Sequence, residues 1–417
     1  MFTLAIKSFR NRRLTTFLTI VSIALSVTLL LGVERIRTEA RASFTSTISG
    51  TDLIVGARSG PVQLLLYSVF RIGNATNNIS WKSYQEIARN PNILWTVPIS
   101  LGDSHKGYRV MGTNADYFEY FQYSGKRRLE MADGRIFEGV YDAVLGAEVA
   151  KKLGYRLNDR IILAHGAGNV SFIQHADKPF TVVGILKRTG TPVDQTIHVR
   201  LEGIEAIHID WKEGAPIPGH SISAENTLKM DLSPRLITAF FVGLKSRIAA
   251  FGVQRNINQY REEPLLAILP GVALAELWDL IGVAERALLM VSGFVVAVGL
   301  SGMLVALMTS LNERRREMAI LRSVGARPVD VFTLIVGESA LLTLVGIVAG
   351  VGTLYGLLIV GQPLMLSKFG LFIAIGGLSP HELFLIAVVG LAGIFIGVIP
   401  GYQIYRYSLA DGMTIRL

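Results

Sequence analysis

Cysteine is absent from all 417 residues. That excludes disulfides, thiolate-ligated zinc, iron–sulfur clusters and thiol nucleophiles. Charge is scarce: Asp, Glu, Lys and Arg make up 18% of the chain, against about 25% in soluble domains. No G-x-x-x-x-G-K-[ST] occurs, so the chain has no phosphate-cradling loop of its own. H-E-x-x-H and G-x-S-x-G are also missing, which leaves no zinc-protease or serine-hydrolase signature. Half of the residues are hydrophobic, and a chain so apolar should hold membrane segments.

What is there, above all, is long uncharged runs. Residues 14–33, 287–311 and 383–405 carry no Asp, Glu, Lys or Arg, and 331–360 carries only Glu338. About 20 apolar residues span a bilayer as a helix. The runs therefore predict four spans, at 14–33, 286–311, 331–360 and 383–405. The first also has the basic start of a signal peptide, with Ala40-Arg41-Ala42 as a cleavage site. It is longer than a signal core, however, and that site lies beyond four charged residues, so a retained anchor is expected.

Basic residues set the orientation. Segment 1–13 has net charge +4 from Lys7, Arg10, Arg12 and Arg13. Segment 312–330 has net charge +2 and segment 401–417 has +1. Segment 34–285 holds 28 basic and 26 acidic residues. Four spans put the three basic segments on one side. The termini, including an amphipathic segment 1–13 and a tail 406–417, and the loop 312–330 are expected in the cytoplasm. The domain 34–285 and a short loop 361–382 are expected outside. The basic balance thus reports topology rather than nucleic acid.

The outer segment holds ten of the 14 prolines and all four tryptophans, which suits a folded domain. The expected fold class is an α-helical membrane protein with four transmembrane helices. A large mixed α/β periplasmic domain lies between the first two. Glu34–Ser49 and Val272–Arg286 read as helical stalks. Short Val- and Ile-rich runs read as strands: Tyr108–Gly112, Ala143–Leu145, Arg160–Leu163, Thr181–Leu186 and Ile204–Ile209. Ser80 reads as the cap of a helix that stops before Pro91, and Gly154 as the end of another. Six histidines lie in this segment (His105, His165, His175, His198, His208 and His220), none paired at i,i+4. They read as scattered strand and surface histidines, with no metal site assigned.

Asn312–Phe332 reads NERRREMAILRSVGARPVDVF. Met318, Ile320, Leu321 and Val324 lie near one helical face, with Arg315, Arg316, Glu317 and Arg322 around them. Gly325 should end this short helix and Pro328 should start the next. The residues leave two readings open: a basic interfacial helix that only fixes topology, or a docking element for a cytoplasmic partner. Small residues recur at one-turn spacing: Gly346 and Gly350, Gly352 and Gly356, then Gly390, Gly393 and Gly397. That spacing lets helix backbones approach closely. Glu338 is an intramembrane acid near the cytoplasmic end, where a structural hydrogen bond is the expectation.

ERRREMAILRSVGARPVDVFTLIVGESALLTLVGIVAG closely resembles the signature region of MacB/FtsX/LolC-type permeases of ABC transporters. Arg314, Glu317, Leu321, Arg322, Gly325, Ala326 and Glu338 match its pattern. The N-terminal 27 residues, GR-x-F at Gly134, Arg135 and Phe137, VLGAEVAKKLG, FTVVGIL and the last span with Pro400 are also similar. Ala410-Asp411 departs from the Pro-Glu-like pair usual in the tail. The resemblance implies a mechanotransmission permease of the inner membrane that dimerises, with itself or a related chain. It implies a separate cytoplasmic ATPase, which binds ATP and magnesium and docks on Arg314, Arg315, Arg316, Glu317 and Arg322. The chain itself is then not an enzyme and holds no cofactor. The implied work is on a lipoprotein, amphiphile, peptide or export partner outside the membrane, with a periplasmic adaptor as a further partner. Two alternatives stand: an FtsX-like subunit that activates a periplasmic enzyme, and a membrane-anchored periplasmic metal-binding protein.

Overall fold

The computed structural model describes residues 13–166, 173–212, 215–216, 222–323, 325–369 and 375–406; within these, the side chains of 43, 46, 173–174, 212, 215–216, 311–319, 321–322 and 363–369 are not described. The chain divides into two units: 1–40, 281–367 and 373–417, and then 41–280 with 368–372.

The first unit is built from long helices. Helix α1 is Arg13–Thr47, of which residues up to 40 belong here. Among the described residues, four helices are long and apolar enough to cross a membrane: 13–42, 270–310, 328–362 and 380–406. Their shared core includes Ile23, Val27, Leu31, Met303, Leu342, Leu354 and Val389. Large apolar side chains such as Phe17, Leu25, Phe294, Val298, Val360 and Phe395 point outward. Helices apolar all round are what a lipid solvent selects.

The second unit is a mixed α/β domain around a twelve-stranded sheet. The strands used below are β1 (Leu53–Ala57), β2 (Ile93–His105), β3 (Tyr108–Thr113) and β4 (Met131–Gly134). They continue with β5 (Asp142–Leu145), β6 (Ala164–His165), β7 (Ile173–Gln174) and β8 (Phe180–Leu186). The last are β9 (Thr196–Arg200), β10 (Trp211–Lys212), β11 (Ala239–Leu244) and β12 (Leu265–Ile268). The main order is β12-β1-β11-β2-β3-β9-β5-β8-β4, with β6 pairing to β2 and to β7; β10 lies in a separate two-stranded sheet. Strands β9 and β3 run parallel, as do β8 and β5, whereas β11 and β2 are antiparallel. β1 and β11 are buried along their whole length, which explains their unbroken apolar sequence.

Several local expectations hold. Ser80 caps Trp81–Ala88, its hydroxyl accepting from the Ser83 amide. Gly154 ends Ala147–Leu153 with φ +71. One does not: Ile204–Ile209 is not a strand. It lies almost wholly in helix α2, Leu201–His208, which buries Leu201, Ala206 and Ile207 while Glu202 and Glu205 are partly exposed. The apolar spacing of LEGIEAIH is helical, and the Ile residues alone misdirect.

Candidate functional site

Helix α3 runs without a break from Pro270 to Ser323, α4 from Pro328 to Phe369 and α5 from Pro380 to Arg406. The expected short helix at 312–324 is therefore not a separate element: its backbone is the last part of α3. The side chains of Arg314, Arg315, Arg316, Glu317, Leu321 and Arg322 lie outside the described residues. Gly325 has φ +107, a left-handed position that favours glycine. Ala326 is half-buried. Pro328 is the first residue of α4, and the Asp330 carboxylate accepts from the Arg327 amide at 2.8 Å. The turn between α3 and α4 is thus sharply specified. Next to it, Val331 and Ile335 of α4, Ile404 of α5 and Met308 of α3 form a small cluster.

The glycines divide into two sets. A Cβ on Gly346 would lie 2.6 Å from Ile23 Cγ2, and one on Gly350 would lie 2.7 Å from the Ala24 carbonyl. These two let α4 close on α1. The Thr28 hydroxyl sits 2.9 Å from the Gly350 carbonyl and 2.8 Å from Ala24's. Gly393 and Gly397 of α5 receive Thr343 and Ser339 of α4 in the same way, and the Ser339 hydroxyl donates to the Gly393 carbonyl at 3.2 Å. Gly390 is looser, with Ile347 at 3.8 Å. Gly352 and Gly356 meet nothing within 4 Å, so they make no close contact within the described chain. Glu338 is buried, at 7% exposure.

At the other end of this unit lies a polar cluster that the sequence reading missed. Arg35 donates to Glu382 Oε2 at 3.1 Å, with side chains 4% and 1% exposed. The same guanidinium donates to the carbonyls of Gly376 at 2.6 Å and Gly377 at 3.1 Å. Glu382 Oε2 accepts from the Ser379 amide at 2.6 Å, and the Ser379 hydroxyl accepts from the Glu382 amide at 3.2 Å. This is a capping box at the start of α5. Glu34 accepts from Arg37 at 2.8 Å and lies 3.7 Å from His381. The S-P-H-E spacing of 379–382 was a legible signal.

In the sheet domain the histidines are not scattered. His105 is satisfied by the Ile162 carbonyl at 2.6 Å and the Tyr155 hydroxyl at 2.8 Å. His198 is buried beside Tyr117 and Phe118, and burial pushes its pKa down to about 3. His165, His175 and His208, by contrast, converge with Asp103. Burial, and then the positive charge of His208, push His175 down to about 4. Burial also opposes the charge of His208, but the Asp103 carboxylate outweighs it and raises the pKa. Spacing hid this group, because its members are brought together by sheet pairing and a helix end. His220 lies outside the described residues.

Residues 16–228 match the family model of the MacB-like periplasmic core domain. Residues 289–409 match that of the FtsX-like permease C-terminal region. Among solved structures, the periplasmic region of MacB from Actinobacillus actinomycetemcomitans is similar at 10% identity. That match covers 55% of this chain and 94% of that one, with a TM-score of 0.33. The extracellular domain of the noncanonic ABC-type transporter YknZ from Gram-positive bacteria is similar at 14% identity. It covers 52% of this chain and 99% of that one, with a TM-score of 0.30. No curated protein matches this chain.

Proposed function

The chain belongs to the MacB/FtsX-type permeases of ABC transporters, and from that premise we propose that it converts ATP hydrolysis by a separate cytoplasmic subunit into movement of its outer domain. The observation that carries this reading is helix α3. A single helix joins residue 270 of the sheet domain to residue 323 beside the turn at Gly325. Any displacement imposed near its C-terminal end is therefore passed on through unbroken backbone hydrogen bonds.

In this reading Arg314–Arg316, Glu317 and Arg322 face the ATPase. A carboxylate next to three arginines in the sequence is able to order them through charge-assisted bonds, which are about twice as strong as neutral ones. Both termini and the turn at Gly325 face the cytoplasm, as the positive charge there favours. ATP and magnesium belong to the partner subunit. A second permease, the same chain or a related one, completes the complex, and the substrate is a lipoprotein, amphiphile, peptide or export partner reached from the outer side.

The test is reconstitution of the permease with the ABC ATPase that co-purifies with it. Glu317→Arg puts four like charges together in the last turns of α3. The expected result is an intact, membrane-inserted permease that no longer stimulates ATP hydrolysis. Normal binding and stimulation would reduce the segment to a topology anchor. Capture of a periplasmic hydrolase in place of a transported substrate would favour the FtsX-like regulatory reading.

A further inference from the structure

The geometry points to a zinc-class metal site in the outer domain, formed by Asp103, His165, His175 and His208. It is independent of the ATP-coupling reading. Four elements supply the ligands. Asp103 lies near the end of β2 and pairs across the sheet with His165 of β6. His175 follows β7, held by its amide donating to the Leu163 carbonyl at 2.9 Å. His208 ends α2.

One ligand atom from each residue lies within 4.8 Å of the other three. His165 Nδ1 and His208 Nε2 are 3.1 Å apart, and Asp103 Oδ1 is 3.4 Å from each. A tetrahedral ion with bonds of 2.0–2.1 Å to nitrogen and oxygen needs ligand–ligand edges of about 3.3 Å. Three of the four atoms already stand at that spacing.

Hydrogen bonding alone leaves this cluster unsatisfied. His208 Nδ1 faces the Ile204 carbonyl at 2.9 Å. A carbonyl only accepts, so Nδ1 carries the proton and Nε2 offers a lone pair in the neutral ring. This is the outer-shell bond that fixes the tautomer of a metal-binding imidazole. His175 Nε2 has no hydrogen-bond partner, Asp103 Oδ1 has only the two imidazole nitrogens at 3.4 Å, and both residues are 2% exposed. A buried polar atom left unpaired costs about 1–3 kcal/mol. One cation at the centre satisfies all four atoms.

Three imidazoles and one carboxylate select a borderline transition ion over calcium or magnesium, which want oxygen. Trp211 of β10 covers the site, with ring centroids 4.6 Å from His175, 5.1 Å from His165 and 5.3 Å from His208. The side chains of His165 and His208 are 42% and 23% exposed, which leaves an entry path. Four protein ligands close a tetrahedral shell, as in structural rather than hydrolytic zinc sites. The ion therefore fastens α2 to the β2–β6 edge of the sheet.

The experiment uses the tag-free full chain in detergent, stripped with a chelator and titrated with zinc chloride or cobalt chloride. One zinc per chain should bind, cobalt should give the intense visible absorption of a tetrahedral ion, and zinc but not magnesium should raise the melting temperature. Asp103→Asn and His208→Gln should each weaken zinc by more than the roughly 10–100-fold that loss of an outer-shell partner costs. His105→Gln, outside the cluster, should bind as the native chain does. A native chain with no zinc-dependent rise in melting temperature and no tetrahedral cobalt spectrum overturns the site. So does undiminished zinc binding by a folded His165→Ala/His208→Gln chain.

Discussion

Arg35 and Glu382 stand 347 positions apart in the chain and meet in a 3.1 Å ion pair that is nearly closed to solvent. The pair ties α1 to the first turn of α5. Removing one member leaves a buried charge without its counterpart, at a cost of about 3–5 kcal/mol. Glu382→Leu should therefore lower the denaturation midpoint sharply. The double change Arg35→Met/Glu382→Leu should recover much of the loss, since well-packed apolar substitutes for a buried pair are often neutral. A double variant no better than the single one would show that the carbonyl contacts of Arg35 with Gly376 and Gly377 matter more.

The two sets of glycines should behave oppositely. Gly350→Val forces a side chain against the Ala24 carbonyl and Val27, and overpacking of this kind costs about 1–3 kcal/mol. Gly352→Val meets open space within the chain and should leave folding of the isolated subunit unchanged. Unfolding of both variants in detergent checks the contrast.

Gly325→Val should uncouple the complex without unfolding it. At φ +107 a β-branched side chain is strained, so the turn between α3 and α4 must shift. The readout is ATPase stimulation in the reconstituted complex, with expression and membrane insertion as controls.

Proline at Ala42 interrupts α1 in its interior, at a local cost of about 3 kcal/mol or more. The ATPase should still bind while biological activity falls. An Ala42→Pro permease with full activity would mean that the far end of α1 transmits nothing.

The buried His198 gives the outer domain a pH dependence of definite sign. Its pKa is near 6.5 in an unfolded chain and is pushed down to about 3 in the fold by burial. Between those values the unfolded chain binds a proton that the folded one does not. Stability from this residue is therefore complete above pH 6.5 and is lost as pH falls toward 3. The melting temperature should drop between pH 7 and pH 5, and His198→Phe should flatten that drop even where it lowers the starting value.

The membrane helices were legible because lipid demands long uncharged runs, and nothing else in the sequence looks like residues 14–33, 287–311, 331–360 or 383–405. Gly325 and Pro328 were legible because helix ends have local chemistry. The strand at Thr181–Leu186 showed its Val and Ile content directly, whereas the same content misled at Ile204–Ile209, where helical spacing decides. The extent of α3 was hidden by composition: charged 312–323 reads as a separate short helix in a loop, yet nothing in it breaks the helix that precedes it. The Asp103 cluster was hidden for another reason. Its members lie up to 105 positions apart, and only the β2–β6 register and the end of α2 bring them together. Arg35 is likewise visible only as a charge at the edge of an apolar run, and the S-P-H-E spacing shows Glu382 as part of a helix cap but not its partner.

The unbroken course of α3 sets a mechanical scale. Fifty-four residues at 1.5 Å each give a contour of about 80 Å, while the hydrocarbon core it crosses is about 30 Å thick. The rod is thus more than twice as long as that core is thick. Under the proposed coupling, a tilt of a few degrees at one end of a rod this long becomes a sweep of several ångströms at the other.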